Sequence, residues 1–365
     1  MKILLFSYTF APNVGGIESV SAILAEKFAE AGHEVSLITE TEENAQRPTP
    51  NAQRRIYRVT RRPSLWQLGK LLHWCDVVFQ NNISLRSLIP ALLMQKRVIV
   101  VHQTWLRNVD DGIGWNNRVK RALLRFVTNV AISEAIRDHI KVPARIINNP
   151  YDDGVFRLHP EIARDKELVF VGRLVSDKGV DVLLRALNVL RSFEENVQRP
   201  TLNAQRPTTE EGPIKHRDDL QPELTIIGLG PEEGKLRELT HELGLDRQVT
   251  FAGEKSGDEL AAVLNRHQIM VVPSSWAEPF GIVALEGIAC GCVVVGSRDG
   301  GLPEAIGPCG LTFENGNAHA LAACLQKLLV DPSQLIAMRR DVDSHLEKFI
   351  AGAVAAGYLA LIQQI

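Results

Sequence analysis

The sequence predicts an α/β protein of two doubly wound domains, each a parallel sheet with helices on both faces. Three observations carry that expectation. At 365 residues the chain is too long for one ordinary domain and long enough for two cores. Short β-branched runs alternate with longer helical segments from one end to the other. Most of those runs are apolar on both faces, as strands are when helices cover either side of a parallel sheet.

Taken in order, MKILLFS (1–7), EVSLIT (34–39), DVVFQ (76–80), RVIVVH (97–102) and NVAIS (129–133) read as strands of the first domain. ELVFVGR (167–173), ELTIIG (223–228), QVTFAG (248–253), IMVVPS (269–274) and CVVVGS (292–297) read as strands of the second. The periodicity breaks at NNPYDDGVFRLHPEIARDK (148–166), which places the change of domain there. The expected division is 1–150, then 151–345, with a last helix over 346–365 returning to the first domain.

Lys plus Arg number 41 and Asp plus Glu 43, for a formal net charge of −2, which argues against nucleic acid as a partner. The five cysteines show neither zinc-finger nor CxxC spacing, and an odd number argues against a disulfide framework. MKILLFSYTF fits a first strand better than a signal peptide. The apolar stretch FIAGAVAAGYLALI (349–362) is too short to span a bilayer, so the chain is expected to be soluble and cytoplasmic. NAQRPTPNAQR (44–54) and NVQRPTLNAQRPT (196–208) share a polar, proline-punctuated unit and read as loop insertions with no part in chemistry.

Chemistry concentrates at strand ends. APNVGG (11–16) leads into an amphipathic helix, where Gly15 and Gly16 let a backbone approach a ligand and the helix start offers amides to an anion. An ordinary tight turn would read the same way. Within LVFVGRLVSDKGVDVLLRAL (168–187), Arg173 ends a strand and Lys178 precedes the next helix. Both cations then lie at the carboxyl edge of the sheet, where open α/β sheets bind ligands, and two cations there could neutralise a pyrophosphate. LTIIGLGPEEGKL (224–236) places Gly228 and Gly230 after a strand, but Glu233 stands where a dinucleotide fingerprint needs its third glycine. Gly230 is kept as a turn bordering a nucleotide pocket.

EPFGIVALE (278–286) sets a glutamate at each end of an apolar run. Pro279 and Gly281 make EPFG a turn before a helix, so the amides of Gly281, Ile282 and Val283 would point at an anion above the sheet edge. Were the whole stretch helical, the two carboxylates would stand about 12 Å apart along the axis. Each could then receive hydroxyls at one end of a diphosphate ligand.

VGRLVSDKG, the E-x7-E pattern of EPFGIVALE, the ACG that follows and GGLPEAI (300–306) together resemble the retaining glycosyltransferases of family 4, also described as glycosyl transferases group 1. The resemblance covers most of residues 165–315 and is thinner in the first domain, where it rests on the glycine pair and a histidine. It implies the GT-B fold, two Rossmann-like domains facing across a cleft. It further implies a nucleotide-sugar donor, a UDP- or GDP-sugar, held mainly by the second domain, and an acceptor held chiefly by the first. Arg173 and Lys178 would hold the diphosphate, Glu278 the transferred sugar's hydroxyls, and Glu286 the ribose. Phe280, Gly281, Ile282 and Val283 would present amides to sugar and phosphate, Gly15 and Gly16 would approach the phosphate, and His102 would lie near the sugar. No cofactor and no metal ion is implied. Asn317 departs from the pattern, standing in GLTFENGN where the family often has aspartate.

The resemblance leaves the sugar, the base and the acceptor open, the acceptor being a glycan, a lipid-linked glycan or a small molecule. An NAD-dependent dehydrogenase would share the sheet topology but leave the glutamate pair unexplained. An epimerase of the same fold, or a protein that binds a sugar nucleotide without transferring the sugar, stays open. NNRVKRALLRFV (116–127) sets Arg118, Lys120, Arg121 and Arg125 among apolar residues at helical spacing. That pattern suits either a solvated face or peripheral contact with the anionic inner face of a membrane, where lipid-linked acceptors reside.

Overall fold

A computed structural model of the protein describes residues 1–13, 15–43, 56–106, 115–195 and 221–365. Both NAQRPT segments lie outside the described residues. The chain divides into two compact units, Met1–Asp153 with Glu347–Ile365, and Gly154–Leu346.

The first unit runs β1 (Lys2–Ser7), α1 (Gly16–Glu30), β2 (Glu34–Thr39), β3 (Arg58–Arg61), α2 (Leu65–Trp74), β4 (Val77–Asn81) and α3 (Leu85–Leu93). It continues with β5 (Arg97–His102), α4 (Trp115–Leu123), β6 (Thr128–Ala131), α5 (Glu134–Ile140) and β7 (Arg145–Ile146). Among the described residues its sheet has the order β3-β2-β1-β4-β5-β6-β7, with every pairing parallel. The order reverses between β1 and β4, so the carboxyl ends at Ser7 and Asn81 flank the crevice such sheets use for ligands.

Local chemistry accounts for these elements. α1 repeats apolar residues at helical spacing and buries Val20, Leu24, Ala25 and Phe28. α2 starts at a capping box in which Ser64 and Gln67 satisfy each other's backbone amides. The last helix, Ala351–Gln363, belongs to this unit: it packs on α1 and sets Tyr358 edge-on to Phe79, ring centroids 5.0 Å apart. Phe79 meets Phe28 in the same way at 5.6 Å.

The second unit runs β8 (Lys166–Val171), α6 (Val180–Glu195), β9 (Leu224–Ile227), α7 (Glu233–Glu242), β10 (Val249–Phe251), α8 (Gly257–Arg266) and β11 (His267–Val272). Then come α9 (Ile282–Ala289), β12 (Val293–Ser297), α10 (Leu302–Ile306), β13 (Gly310–Phe313) and α11 (Ala318–Val330). The described strands form a parallel sheet, β10-β9-β8-β11-β12-β13, whose order reverses between β8 and β11. Its core joins Leu168, Phe170 and Ile226 of the strands to Leu183 and Leu187 of α6 and Leu321 and Leu325 of α11.

β3, β7 and β13 are absent from the sequence-based strands. β3 and β7 are short and little buried, and β13 closes the edge of its sheet, so none presents the long apolar run that marks a central strand. All five cysteines are free thiols, four of them buried. Among the described residues no helix is long and apolar enough to cross a membrane.

Candidate active site

A polar cluster of the second unit stands where its strand order reverses. Gly179, after the loop that follows β8, adopts φ 67°, and a Cβ there would run into the Pro273 carbonyl oxygen beyond β11. The two loops are therefore in backbone contact, and Ser275 N–H donates to the Asp177 carbonyl at 2.9 Å. That contact brings Lys178 beside the loop carrying Glu278. Lys178 Nζ donates to Glu278 Oε1 at 2.6 Å, and Ser274 Oγ donates to the same oxygen at 2.6 Å. Oε2 accepts no hydrogen bond among the described residues, which leaves one carboxylate oxygen for a ligand. Glu278 is only 8% exposed.

The backbone around Glu278 is equally tied. It forms a bridge to Gly300, whose φ of 89° and lack of a Cβ let it lie against the Glu278 carbonyl. Gly301 N–H donates to that carbonyl at 2.7 Å. The Ser274 carbonyl accepts from Ser297 Oγ at 2.7 Å and from Asn315 Nδ2 at 3.2 Å, and Asn315 also reaches the Trp276 carbonyl at 3.2 Å. Asn315 thus clamps the loop. Its neighbour Asn317 caps α11 instead, accepting from Ala320 N–H at 3.0 Å, so its departure from the family pattern falls on a helix cap.

EPFGIVALE is not one helix. Gly281 takes φ 104°, the helix begins at Ile282, and Glu278 lies in the bridged segment before that turn. The helical spacing of about 12 Å between the two glutamates therefore does not apply. The amide reading fits better: α9 starts at Gly281 without a side-chain cap, and Gly281, Ile282 and Val283 are partly exposed. Phe280 is buried as a whole, backbone and ring together, at 1% exposure. Glu286 is half-buried, one turn along α9.

Arg173 is exposed and makes no side-chain ion pair among the described residues. Gly228 and Gly230 have a packing reason: a Cβ at either would strike the Gly172 or Leu174 carbonyl oxygen, so the two loops touch through backbone. Among the described residues no group of His, Cys, Asp or Glu could hold a metal ion.

In the first unit, Gly15 is the N-cap of α1 and has no side chain to cap it, and Gly16 is the first helical residue. The Glu18 carboxylate folds back over this turn, within 2.6 Å of where a Gly15 Cβ would stand. Behind it runs a buried polar chain. Asn81 Nδ2 donates to Ser21 Oγ at 2.7 Å and to the Ile17 carbonyl at 3.2 Å, and Ser21 Oγ reaches Ser7 Oγ at 2.7 Å. Gln103 Nε2 donates to Asn81 Oδ1 at 2.7 Å and to Asn149 Oδ1 at 2.9 Å, and Asn149 Nδ2 returns a bond to Gln103 Oε1 at 2.7 Å. The first turn of α1 is thereby fixed to the ends of β1, β4 and β5. Amides at strand ends, FQNN and VHQ, were the available signal, since Asn and Gln are poor strand formers that persist when buried only if satisfied.

His102 ends β5 and is fully buried, with Nε2 3.1 Å from Asn129 Oδ1. Burial pushes its imidazole down to about 4, and Asn129 opposes that only in part. It is neutral at physiological pH.

Residues 165–331 match the family described as Glycosyl transferases group 1, and residues 14–154 match Glycosyltransferase Family 4. The chain belongs to the family 4 glycosyltransferases. A D-inositol 3-phosphate glycosyltransferase of Corynebacterium jeikeium (strain K411) is 34% identical over 211 residues, 55% of this chain and 44% of the relative. A glycogen synthase of Mycobacterium tuberculosis (strain CDC 1551 / Oshkosh) is 33% identical over 201 residues, 53% of this chain and 42% of the relative. The chain thus spans less than half the length of these curated relatives. HepE of Anabaena, solved in complex with UDP, superposes with a TM-score of 0.79 at 18% identity over 100% of both chains. Sucrose-phosphate synthase of Thermosynechococcus elongatus does so with a TM-score of 0.74 at 20% identity, over 100% of this chain and 98% of that one. At such identities the likeness establishes the fold: this family 4 member has the GT-B fold.

Proposed function

We propose that the chain transfers a glycosyl group from a UDP-sugar to a hydroxyl-bearing acceptor, with retention at the anomeric carbon. The observation that carries this reading is the Lys178–Glu278 pair at the point where the second sheet's strand order reverses, beside the uncapped start of α9. Lys178 and Arg173 would neutralise the diphosphate, and the amides of Gly281, Ile282 and Val283 would take its remaining charge. Glu278 Oε2 would accept a hydroxyl of the transferred sugar, and Glu286 would take the ribose hydroxyls. Gly15 and Gly16 would approach the phosphate through backbone, with Gly230 bordering the nucleotide. His102 would meet the sugar once the atoms covering it give way.

In this reaction the bond from the anomeric carbon to the diphosphate oxygen breaks and the acceptor oxygen bonds on the same face. The acceptor's proton passes to the departing phosphate. Protein carboxylates orient and do not attack, unlike the acid and nucleophile pair of a retaining glycosidase. The diphosphate is held by protein cations and amides, with no metal ion or other cofactor in the proposal.

UDP is favoured over GDP because HepE has been solved with UDP and with UDP-glucose. The curated relatives name both an inositol phosphate and a polysaccharide product, which supports a hydroxyl acceptor, on a free molecule, a glycan or a lipid-linked glycan. We place the reaction in the cytoplasm. Arg118 and Arg125 are exposed on and just beyond α4, which supports peripheral contact with anionic lipid there. Co-sedimentation with anionic vesicles at low salt tests that contact.

The deciding experiment incubates the chain with UDP-, GDP- and ADP-sugars, with and without acceptors and EDTA, and measures released nucleoside diphosphate. Acceptor-dependent release of UDP that survives EDTA supports transfer, and the anomeric configuration of the product tests retention. An isomerised sugar without acceptor would make the chain an epimerase, and binding without any release a non-catalytic sugar-nucleotide protein.

A further inference from the structure

Asn129 is not singled out by any sequence motif, yet it decides the chemistry of His102. It lies on β6 opposite Val100, and His102 lies opposite Ala131, so both side chains leave the same face of adjacent strands. Asn129 is 6% exposed and its amide cannot turn over. Nδ2 donates to the Leu124 carbonyl at 2.8 Å and to the Val127 carbonyl at 3.3 Å, which turns Oδ1 toward the imidazole. An amide oxygen only accepts, so the facing nitrogen of His102, Nε2 at 3.1 Å, must carry the proton. Nδ1 is then a bare acceptor. It is enclosed and has no hydrogen-bond partner among the described residues, an uncommon state for a buried polar atom.

We infer that Asn129 is a positioning residue that holds His102 as the Nε2–H tautomer, so that Nδ1 stands ready to accept a hydrogen bond from a hydroxyl of the transferred sugar. The inference rests on the glycosyl-transfer reading for the ligand, while the tautomer itself rests on geometry alone. The carbonyls that hold Asn129 come from the segment joining α4 to β6, so the tautomer is set by backbone and not by another titrating group. A neutral acceptor suits this place, because a cationic imidazole would have no lone pair to offer at either nitrogen. The contact requires the atoms covering Nδ1 to give way when the sugar arrives.

The test is long-range proton–nitrogen NMR on the full chain labelled at histidine, with His102 assigned by its absence in His102→Gln. In the wild type Nδ1 should show the shift of an unprotonated nitrogen and Nε2 that of a protonated one. UDP-glucose, but not UDP, should move the Nδ1 resonance. Asn129→Leu, close in volume, should lose the single-tautomer pattern and lower turnover at least tenfold with the donor KM within about twofold. A protonated Nδ1 in the wild type overturns the inference even if no variant folds. An unchanged tautomer and turnover in Asn129→Leu overturns it as well. If the tautomer is as stated but the wild type turns over no sugar nucleotide, it is the glycosyl-transfer reading that fails.

Discussion

Lys178 Nζ and Ser274 Oγ converge on one oxygen of Glu278, each at 2.6 Å, in a pocket where Glu278 is nearly closed off from solvent. The carboxylate is thus held by two donors from different loops, and its orientation does not depend on a ligand. Lys178→Ala and Glu278→Gln should each lower turnover by at least a hundredfold: the first removes a positioned cation at the leaving diphosphate, worth several kcal/mol, and the second removes the charge that orients Lys178 and receives the sugar hydroxyl. Lys178→Ala should also lower the melting temperature, because among the described residues it leaves the Glu278 carboxylate with the Ser274 hydroxyl as its remaining donor in a nearly closed site. Steady-state kinetics beside a thermal melt separates the two effects. Turnover within a few fold of wild type in both variants would count against the donor site.

Gly179 offers a test that touches no charge. At φ 67°, with the Pro273 carbonyl oxygen where a Cβ would be, alanine cannot be placed unless the β8 and β11 loops move apart. Gly179→Ala should cost about 2 kcal/mol or more of stability. It should also weaken sugar-nucleotide binding, since it displaces Lys178 from Glu278. Gly32→Ala is the control: it too has a positive φ, 83°, but nothing lies within 4 Å of its Cβ, so it should lose stability with binding unchanged. Equal binding by both variants in calorimetry would separate the loop contact from the site.

Much of this was legible in the sequence, and what was not has physical reasons. The central strands could be read because a buried parallel strand must be apolar on both faces, as RVIVVH and CVVVGS are. Lys178, Glu278 and the EPFG turn could be read because short spacings and glycines encode local geometry. The Asn315 clamp on Ser274 and Trp276 spans about forty positions, and the link from Asn129 to His102 spans 27, so no local pattern reports them. Gly230 can be read in two ways at once. Its spacing suggests a turn bordering a ligand, and the structure adds a packing reason that no spacing reports, the Leu174 carbonyl that a Cβ would strike.

His102 makes stability depend on pH with a definite sign. Its folded-state value, about 4, lies below the ordinary 6.5, so the unfolded chain binds the proton more readily. The contribution is complete above about pH 6.5 and is lost as pH falls toward 4, about 3 kcal/mol in all. His267, also lowered by burial, acts in the same direction. Urea unfolding at pH 7 and pH 4.5 should therefore show a smaller loss in His102→Gln than in the wild type. An equal loss in the two proteins would mean that His102 is not buried neutral.

Tyr358 supplies a stabilising substitution. Its ring packs edge-on to Phe79 and is fully buried, but its hydroxyl has no hydrogen-bond partner among the described residues. Burial holds the phenol protonated far above its usual range, so the group carries no charge and offers only an unmet donor. Removing an unmet polar atom recovers its desolvation cost, about 1–3 kcal/mol, while the vacated oxygen leaves a void that gives part of this back. Tyr358→Phe should therefore raise the unfolding free energy by about 1 kcal/mol and leave kcat unchanged, since its ring is buried against Phe79 inside the first unit. Tyr358→Ala should do the reverse, costing about 3–5 kcal/mol as the contact with Phe79 is lost. A drop in stability for Tyr358→Phe would show that the hydroxyl has a partner in solution, and a drop in kcat would tie this helix to the reaction.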